Sequence, residues 1–149
     1  MDTDLRRAAV AALGELGRSA DYRDRAAAGH GLAAFAEVPV ARGPLAELLL
    51  DPGDTFVTLV TARALLRRVD RAGLSLVASA LAAADECHGE WIRTAVDDVF
   101  GIFADDRDAA LRLCEEMARD DDPQPALGVR QLRLALAEIA PVLGPAVRG

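Results

Sequence analysis

Lysine and asparagine are both missing from this chain of 149 residues, so every one of its seventeen cations is an arginine. That bias, together with the Ala and Gly content, reads as the signature of a GC-rich bacterial genome rather than of a function. Aromatic residues make up only 4% of the chain, with one Trp and one Tyr, too few for a base-stacking nucleic-acid surface. Cysteine is limited to Cys87 and Cys114. Their spacing fits no zinc site, and two thiols make no disulfide scaffold. No secretory leader is evident at Met1-Asp2-Thr3-Asp4, which predicts reduced thiols and a cytoplasmic location. The longest uncharged run, Ala72 to Ala84, is too short to span a bilayer and predicts a buried helix instead. Gly-rich phosphate loops, paired metal ligands and serine elbows are lacking too. These gaps lead to an expectation of no metal, no cofactor, no membrane and no catalytic residue.

What remains is a chain rich in helix formers, 52% hydrophobic and dominated by Ala and Leu. Period-two runs of β-branched residues are absent, and the expected fold class is all-α. The length suits one domain that buries roughly 70% of its unfolded surface without staples. The formal net charge is −7, and it is uneven. Residues 85–122 hold thirteen acids against four arginines, while the remainder is slightly positive. An acidic half repels phosphate backbones, so no nucleic-acid partner is expected.

One short pattern returns four times. Tyr22-Arg23, Val57-Thr58, Ile92-Arg93 and Val129-Arg130 stand 35, 35 and 37 residues apart. Each opens a helical stretch after a turn rich in Asp, Gly or Pro. Such a period marks stacked helix pairs, none of which can bury its apolar face alone. Breakers predict eight helices: Thr3–Leu16, Asp21–Glu37, a short one near Leu45–Leu50, a fourth ending near Val69, Ala72–Ala84, Glu90–Ala104, Asp105–Arg119, and a last one closing at Pro141. In Asp51-Pro52-Gly53-Asp54, Asp51 is expected to cap the fourth helix with Pro52 at its first position. Asp120 to Pro125 repeats that start signal before the eighth.

Leu48-Leu49-Leu50-Asp51-Pro52-Gly53-Asp54, followed by Val57, Ala62 and Leu65, resembles the core of a HEAT repeat. Tyr22-Arg23 with Ala26, Ala27 and Leu32 is similar to the second helix of such a unit, as is Val129-Arg130 with Leu132, Leu136 and Ile139. The resemblance covers nearly the whole chain. It implies a single right-handed α-solenoid of about four HEAT-like helix pairs, with repeats near 3–38, 42–70, 71–105 and 106–141 and a tail at 142–149. Thr58 breaks the pattern where an Arg usually follows the Val.

In HEAT-like solenoids the second helices line a concave face that meets partners, and here that stripe would carry Arg23, Thr58, Arg63, Arg93, Asp97, Asp98 and Arg130. A row of arginines suits carboxylates or phosphates on a partner; its plainer role is to pair with capping aspartates of the next repeat. The resulting expectation is a non-catalytic protein-interaction scaffold. The alternatives are a HEAT-like enzyme of DNA glycosylase or lyase type, for which Asp97 or Asp98 beside Arg93 and Trp91 is the only match, and an acidic regulatory or immunity-type protein that masks a basic surface. Cys87-His88, adjacent on one turn, is not expected to act as a nucleophile and base. Gly29-His30-Gly31 is read as a close helix contact, and Trp91 as packing between repeats or a partner anchor. Leu134, Leu136 and Ile139 look poorly covered, so the chain is expected to be a monomer or to self-associate weakly through its C-terminal helix pair.

Overall fold

A computed structural model describes residues 2–120 and 126–146. Eight α-helices account for about three quarters of it: α1 (Thr3–Leu16), α2 (Tyr22–Ala33), α3 (Pro39–Leu49), α4 (Thr55–Leu66), α5 (Arg71–Ala83), α6 (Glu86–Phe100), α7 (Ala104–Ala118) and α8 (Ala126–Ala137). The cause of most starts is local. Asp2, Asp21, Asp54, Asp70 and Asp85 stand in extended conformation before a helix, and each side chain accepts a hydrogen bond from a first-turn N–H. The start at α3 relies on Pro39 at the first helical position, where its missing N–H costs nothing.

The even helices α2, α4 and α6 pack side by side in chain order, and the odd helices α1, α3, α5 and α7 do the same. Their direction follows from which ends meet. Tyr22 touches Phe56 at the starts of α2 and α4, Gly29 lies against Thr61 at their middles, and Arg68 donates to the Ala33 carbonyl (2.8 Å) past their ends. The Arg63 guanidinium reaches Asp98 across α4 and α6 (Nε to Oδ2, 2.9 Å). These even helices therefore run parallel. The partners in the last two pairs are 35 residues apart, so the interval seen in the sequence is a contact distance in the fold.

Helix α5 contacts α3, α4, α6, α7 and α8. Its residues from Gly73 to Ala78 are all buried, as a helix that is apolar all round requires. The last helix breaks the alternation, because α8 packs chiefly on α5 and α7 and only lightly on α6. Gly128 permits this approach: a Cβ there would sit 2.0 Å from the Ala78 carbonyl oxygen. The core runs through every helix, with Leu32, Leu45, Leu65, Leu74, Ile92, Phe100, Leu132 and Leu136 among its largest fully buried side chains.

Several boundaries differ from the sequence reading. Helix α3 begins at Pro39, not near Leu45, and Pro44 lies inside it. Pro44 has no N–H to give the Val40 carbonyl, and Val40 is itself exposed, on the solvent side of the helix. A repeat boundary at 42 thus falls within α3. Helix α2 stops at Ala33, and 34–38 form turns. Helix α6 starts a turn earlier than expected because Asp85 caps it. Asp51 does not cap α4; Asp54 does, with Pro52 and Gly53 outside the helix. The expected start signal in 121–125 lies outside the described residues, although Asp120 pairs with Arg71 at the start of α5.

The segment 142–146 is not a free tail. Val142 N–H donates to the Gly101 carbonyl (3.0 Å), Leu143 N–H to Ile102 (2.7 Å), and Ala104 N–H to Leu143 (3.0 Å), so it lies on the α6–α7 turn. Val69, between α4 and α5, adopts φ 46°. A β-branched residue in that left-handed region costs about 1–2 kcal/mol; the Arg68 fork onto Ala33, Glu37 and Asp70 holds it there. Among the described residues no helix is long and apolar enough to cross a membrane.

Candidate functional site

The seven residues expected on one binding face do not form one constellation. Arg23 is exposed and forks onto Asp21, the cap of its own helix (Nε to Oδ1, 3.1 Å; Nη2 to Oδ2, 2.9 Å). That contact, led by the side-chain hydrogen bond, raises the Arg23 pKa and lowers that of Asp21. Arg63 is half-buried and joins Asp98. Arg93, Asp97 and Arg130 are exposed, and their side chains make no hydrogen bond or ion pair among the described residues. Thr58 is the clear correction, since it is fully buried. Helix α4 is flanked by α2 and α6 and backed by α3 and α5, so only a narrow strip of it meets solvent.

The Thr58 and Thr61 hydroxyls are buried with no hydrogen-bond partner. An unsatisfied buried hydroxyl costs about 1–3 kcal/mol. Thr58→Val keeps the branched shape and removes that cost, so it is expected to stabilise the protein by about 1 kcal/mol. Thermal unfolding checks this, with a midpoint raised by roughly 3 °C.

Besides Arg63–Asp98 between α4 and α6, another long-range link is made by Arg25 and Asp51 between α2 and the turn before α4. Asp51 is 5% exposed. Arg25 forks onto it (Nε to Oδ1, 3.0 Å; Nη2 to Oδ2, 3.1 Å) and also donates to the Ser19 and Ala20 carbonyls. The N–H groups of Gly53 and Asp54 donate to the same carboxylate (3.2 and 2.9 Å). The Asp51 hydrogen bond raises the Arg25 pKa. One carboxylate therefore shapes the turn before α4 and ties it to the start of α2.

His88 extends this cluster to the start of α6. Its Nε2 stands 2.8 Å from the Asp51 carbonyl oxygen and its Nδ1 2.8 Å from the Asp85 carboxylate. Both partners are acceptors, so both ring nitrogens donate and the imidazolium is favoured. The Asp51 carbonyl is the largest influence raising the His88 pKa; partial burial opposes it and Asp85 adds to it. With both nitrogens engaged, the ring has no free base to offer the exposed neighbour Cys87. A raised folded-state pKa contributes stability that is complete below the ordinary imidazole value, about 6.5, and is lost as pH rises through the folded value. The thermal midpoint is therefore expected to fall as pH rises above about 6.5, and to fall less in His88→Gln. Asp85 stays ionised throughout, because the His88 N–H and ring lower its pKa.

Beside this cluster a polar cleft of ≈ 500 Å³ opens between the starts of α4 and α6, with Asp54, Asp85, Cys87 and His88 on its walls. Exposed aromatics flank that edge. Tyr22 and Phe56 are 42% and 46% exposed and meet edge to face, with centroids 6.0 Å apart. Trp91, 39% exposed, follows Phe56 by 35 residues, the separation at which Arg63 meets Asp98. The sequence carried this row at spacings of 34 and 35, but aligning Tyr22 with Val57 passed over Phe56. A larger hollow of ≈ 730 Å³ lies between α1 and α3, lined mainly by Gly14, Gly17, Pro44, Ala46, Leu48 and Leu50. It contains none of the seven expected site residues.

The glycines of Gly29-His30-Gly31 serve packing. A Cβ on Gly29 would stand 2.0 Å from the Thr61 hydroxyl, and one on Gly31 would stand 2.9 Å from Leu13. Cys114 is wholly buried, and burial pushes its thiol up to about 11. In the acid-rich start of α7, Asp108 accepts from Arg107 (2.8 Å) and Asp105 from the Ala146 N–H (3.3 Å). Among the described residues no group of three His, Cys, Asp or Glu converges to hold a metal ion. The chain matches no family model, no curated protein and no solved structure.

Proposed function

We propose that the chain is a non-catalytic interaction module, a short right-handed solenoid of about four HEAT-like helix pairs whose parallel even helices present a face to a protein partner. The observation that carries this reading is the placement of the aromatics. The chain has six, and Tyr22, Phe56, Trp91 and Phe103 are all markedly exposed. A chain so poor in aromatics gains most by burying them, and exposed Trp and Tyr side chains are the usual anchors of interfaces. The parallel packing of α2, α4 and α6 and the 35-residue contacts support the solenoid reading; the shift of α8 onto α5 marks its closing unit. Engagement of both His88 nitrogens argues against acid–base chemistry beside Cys87, and the acidic balance argues against nucleic acid. The cytoplasmic placement rests on the two free thiols. Of the residues expected to be poorly covered, Leu136 is fully buried, and exposed Leu127 and Leu134 on α8 support weak self-association there.

Affinity capture from a lysate of the source organism tests this reading, comparing wild type with Tyr22→Gln/Phe56→Gln/Trp91→Gln after confirming that the variant melts cooperatively. A protein retained by wild type and lost by the variant is the expected result. A partner held equally by both removes the aromatic row from the interface. In that case Arg93→Glu/Arg130→Glu becomes the next comparison.

A further inference from the structure

The aromatic row is bordered by carboxylates at every step. Asp21 precedes Tyr22, Asp54 stands two residues before Phe56, and Glu90 precedes Trp91. Asp21 and Asp54 are helix caps, so the backbone fixes them beside the rings that follow. Asp85, with its side chain 65% exposed, lies with Asp54 on the cleft between the starts of α4 and α6. Arg93 on α6 is exposed and has no ion pair among the described residues, so it offsets one of these carboxylates; the other nearby cations are committed. Arg25 is held by Asp51, and Arg23 by Asp21. Glu86 and Glu90, one turn apart on α6, are exposed, with no ion pair among the described residues.

Aromatic faces next to unpaired carboxylates select one kind of ligand group. A neutral apolar segment would leave the carboxylates desolvated against nothing, and an acidic one would be repelled. A planar guanidinium stacks on a ring face and also forks onto a carboxylate. We infer that the edge formed by the starts of α2, α4 and α6 binds an arginine-bearing segment of a partner, with Phe56 and Trp91 stacking on guanidinium groups while Asp54, Glu86 and Glu90 pair with them. This rests on the interaction reading above and names the chemistry of its partner.

Fluorescence anisotropy of a short labelled arginine–glycine peptide tests the inference, with a glutamate–glycine peptide as control. Saturable binding of the arginine peptide that weakens with salt is expected. Phe56→Leu/Trp91→Leu, which keeps apolar bulk and removes the rings, is expected to weaken it about tenfold. Glu86→Gln/Glu90→Gln is expected to weaken it similarly. Glu115→Gln/Glu116→Gln on α7 changes net charge by the same amount, and it is expected to leave binding unchanged. Circular dichroism confirms that each variant is folded. Absence of binding overturns the inference, as does equal weakening by the α7 pair, which would mean attraction to overall charge. An aromatic-dependent captured partner that lacks a cationic segment overturns this inference alone and leaves the interaction reading standing.

Discussion

Asp51→Ala is expected to cost on the order of 3 kcal/mol. The reason is what it strands. Arg25, its side chain 15% exposed, would keep its charge between α2 and the turn before α4 without a counter-ion. Breaking a buried pair from one side costs more than the pair contributes, because the remaining charge is left without its partner. The Gly53 and Asp54 N–H groups would lose their acceptor as well. For a chain of this length the thermal midpoint should drop by roughly 10 °C. Asp51→Asn, which retains shape and one acceptor oxygen, is expected to fall between the two. By contrast, losing the exposed Arg23–Asp21 ion pair should leave the thermal midpoint almost unchanged. A scan in which Asp51→Ala melts like a surface variant would remove the cluster from the account.

The second large effect is expected at Gly128→Ala. In an isolated helix this change would stabilise by about 1 kcal/mol, since Gly is a poor helix former. Here the added Cβ would stand 2.0 Å from the Ala78 carbonyl oxygen and 3.3 Å from the Ala82 methyl. Backbone cannot turn aside as a side chain can, so α8 must move off α5, with overpacking costs of about 3 kcal/mol. The sign of the net change is therefore destabilising, by about 2 kcal/mol after the propensity gain. Gly29→Ala makes an informative comparison. Its obstacle is the Thr61 side chain, so Thr61→Ala in the same chain should relieve most of the damage, whereas no single side-chain truncation relieves Gly128→Ala. Denaturant midpoints of the two singles and the double decide this.

Those two sites also show what the sequence could and could not disclose. The burial of α5 was legible, because it depends on a continuous apolar run, whereas the cap at Asp85 was missed and α6 was expected a turn late. The start of α3 was not legible either, because Pro44 reads as a terminator although it sits inside the helix. Thr58 was misplaced for a related reason. A helical period assigns one face to solvent, but α4 is covered on several sides by helices distant in sequence. Arg25 rather than Arg23 reaches the next unit, and that choice is set by a turn 26 residues away. The aromatic row was visible as a spacing, yet nothing in the sequence showed that Tyr22 and Phe56 touch while remaining exposed.

The account turns on the claim that this row is a solvent-facing surface waiting for a partner rather than packing between repeats. Trp91 is the sole tryptophan, so acrylamide quenching of its fluorescence reads that claim at one residue. The free protein is expected to show an accessible, readily quenched indole, with quenching suppressed once the captured partner is added. A Trp91 already protected in the free chain, with quenching unchanged by the partner, would contradict it.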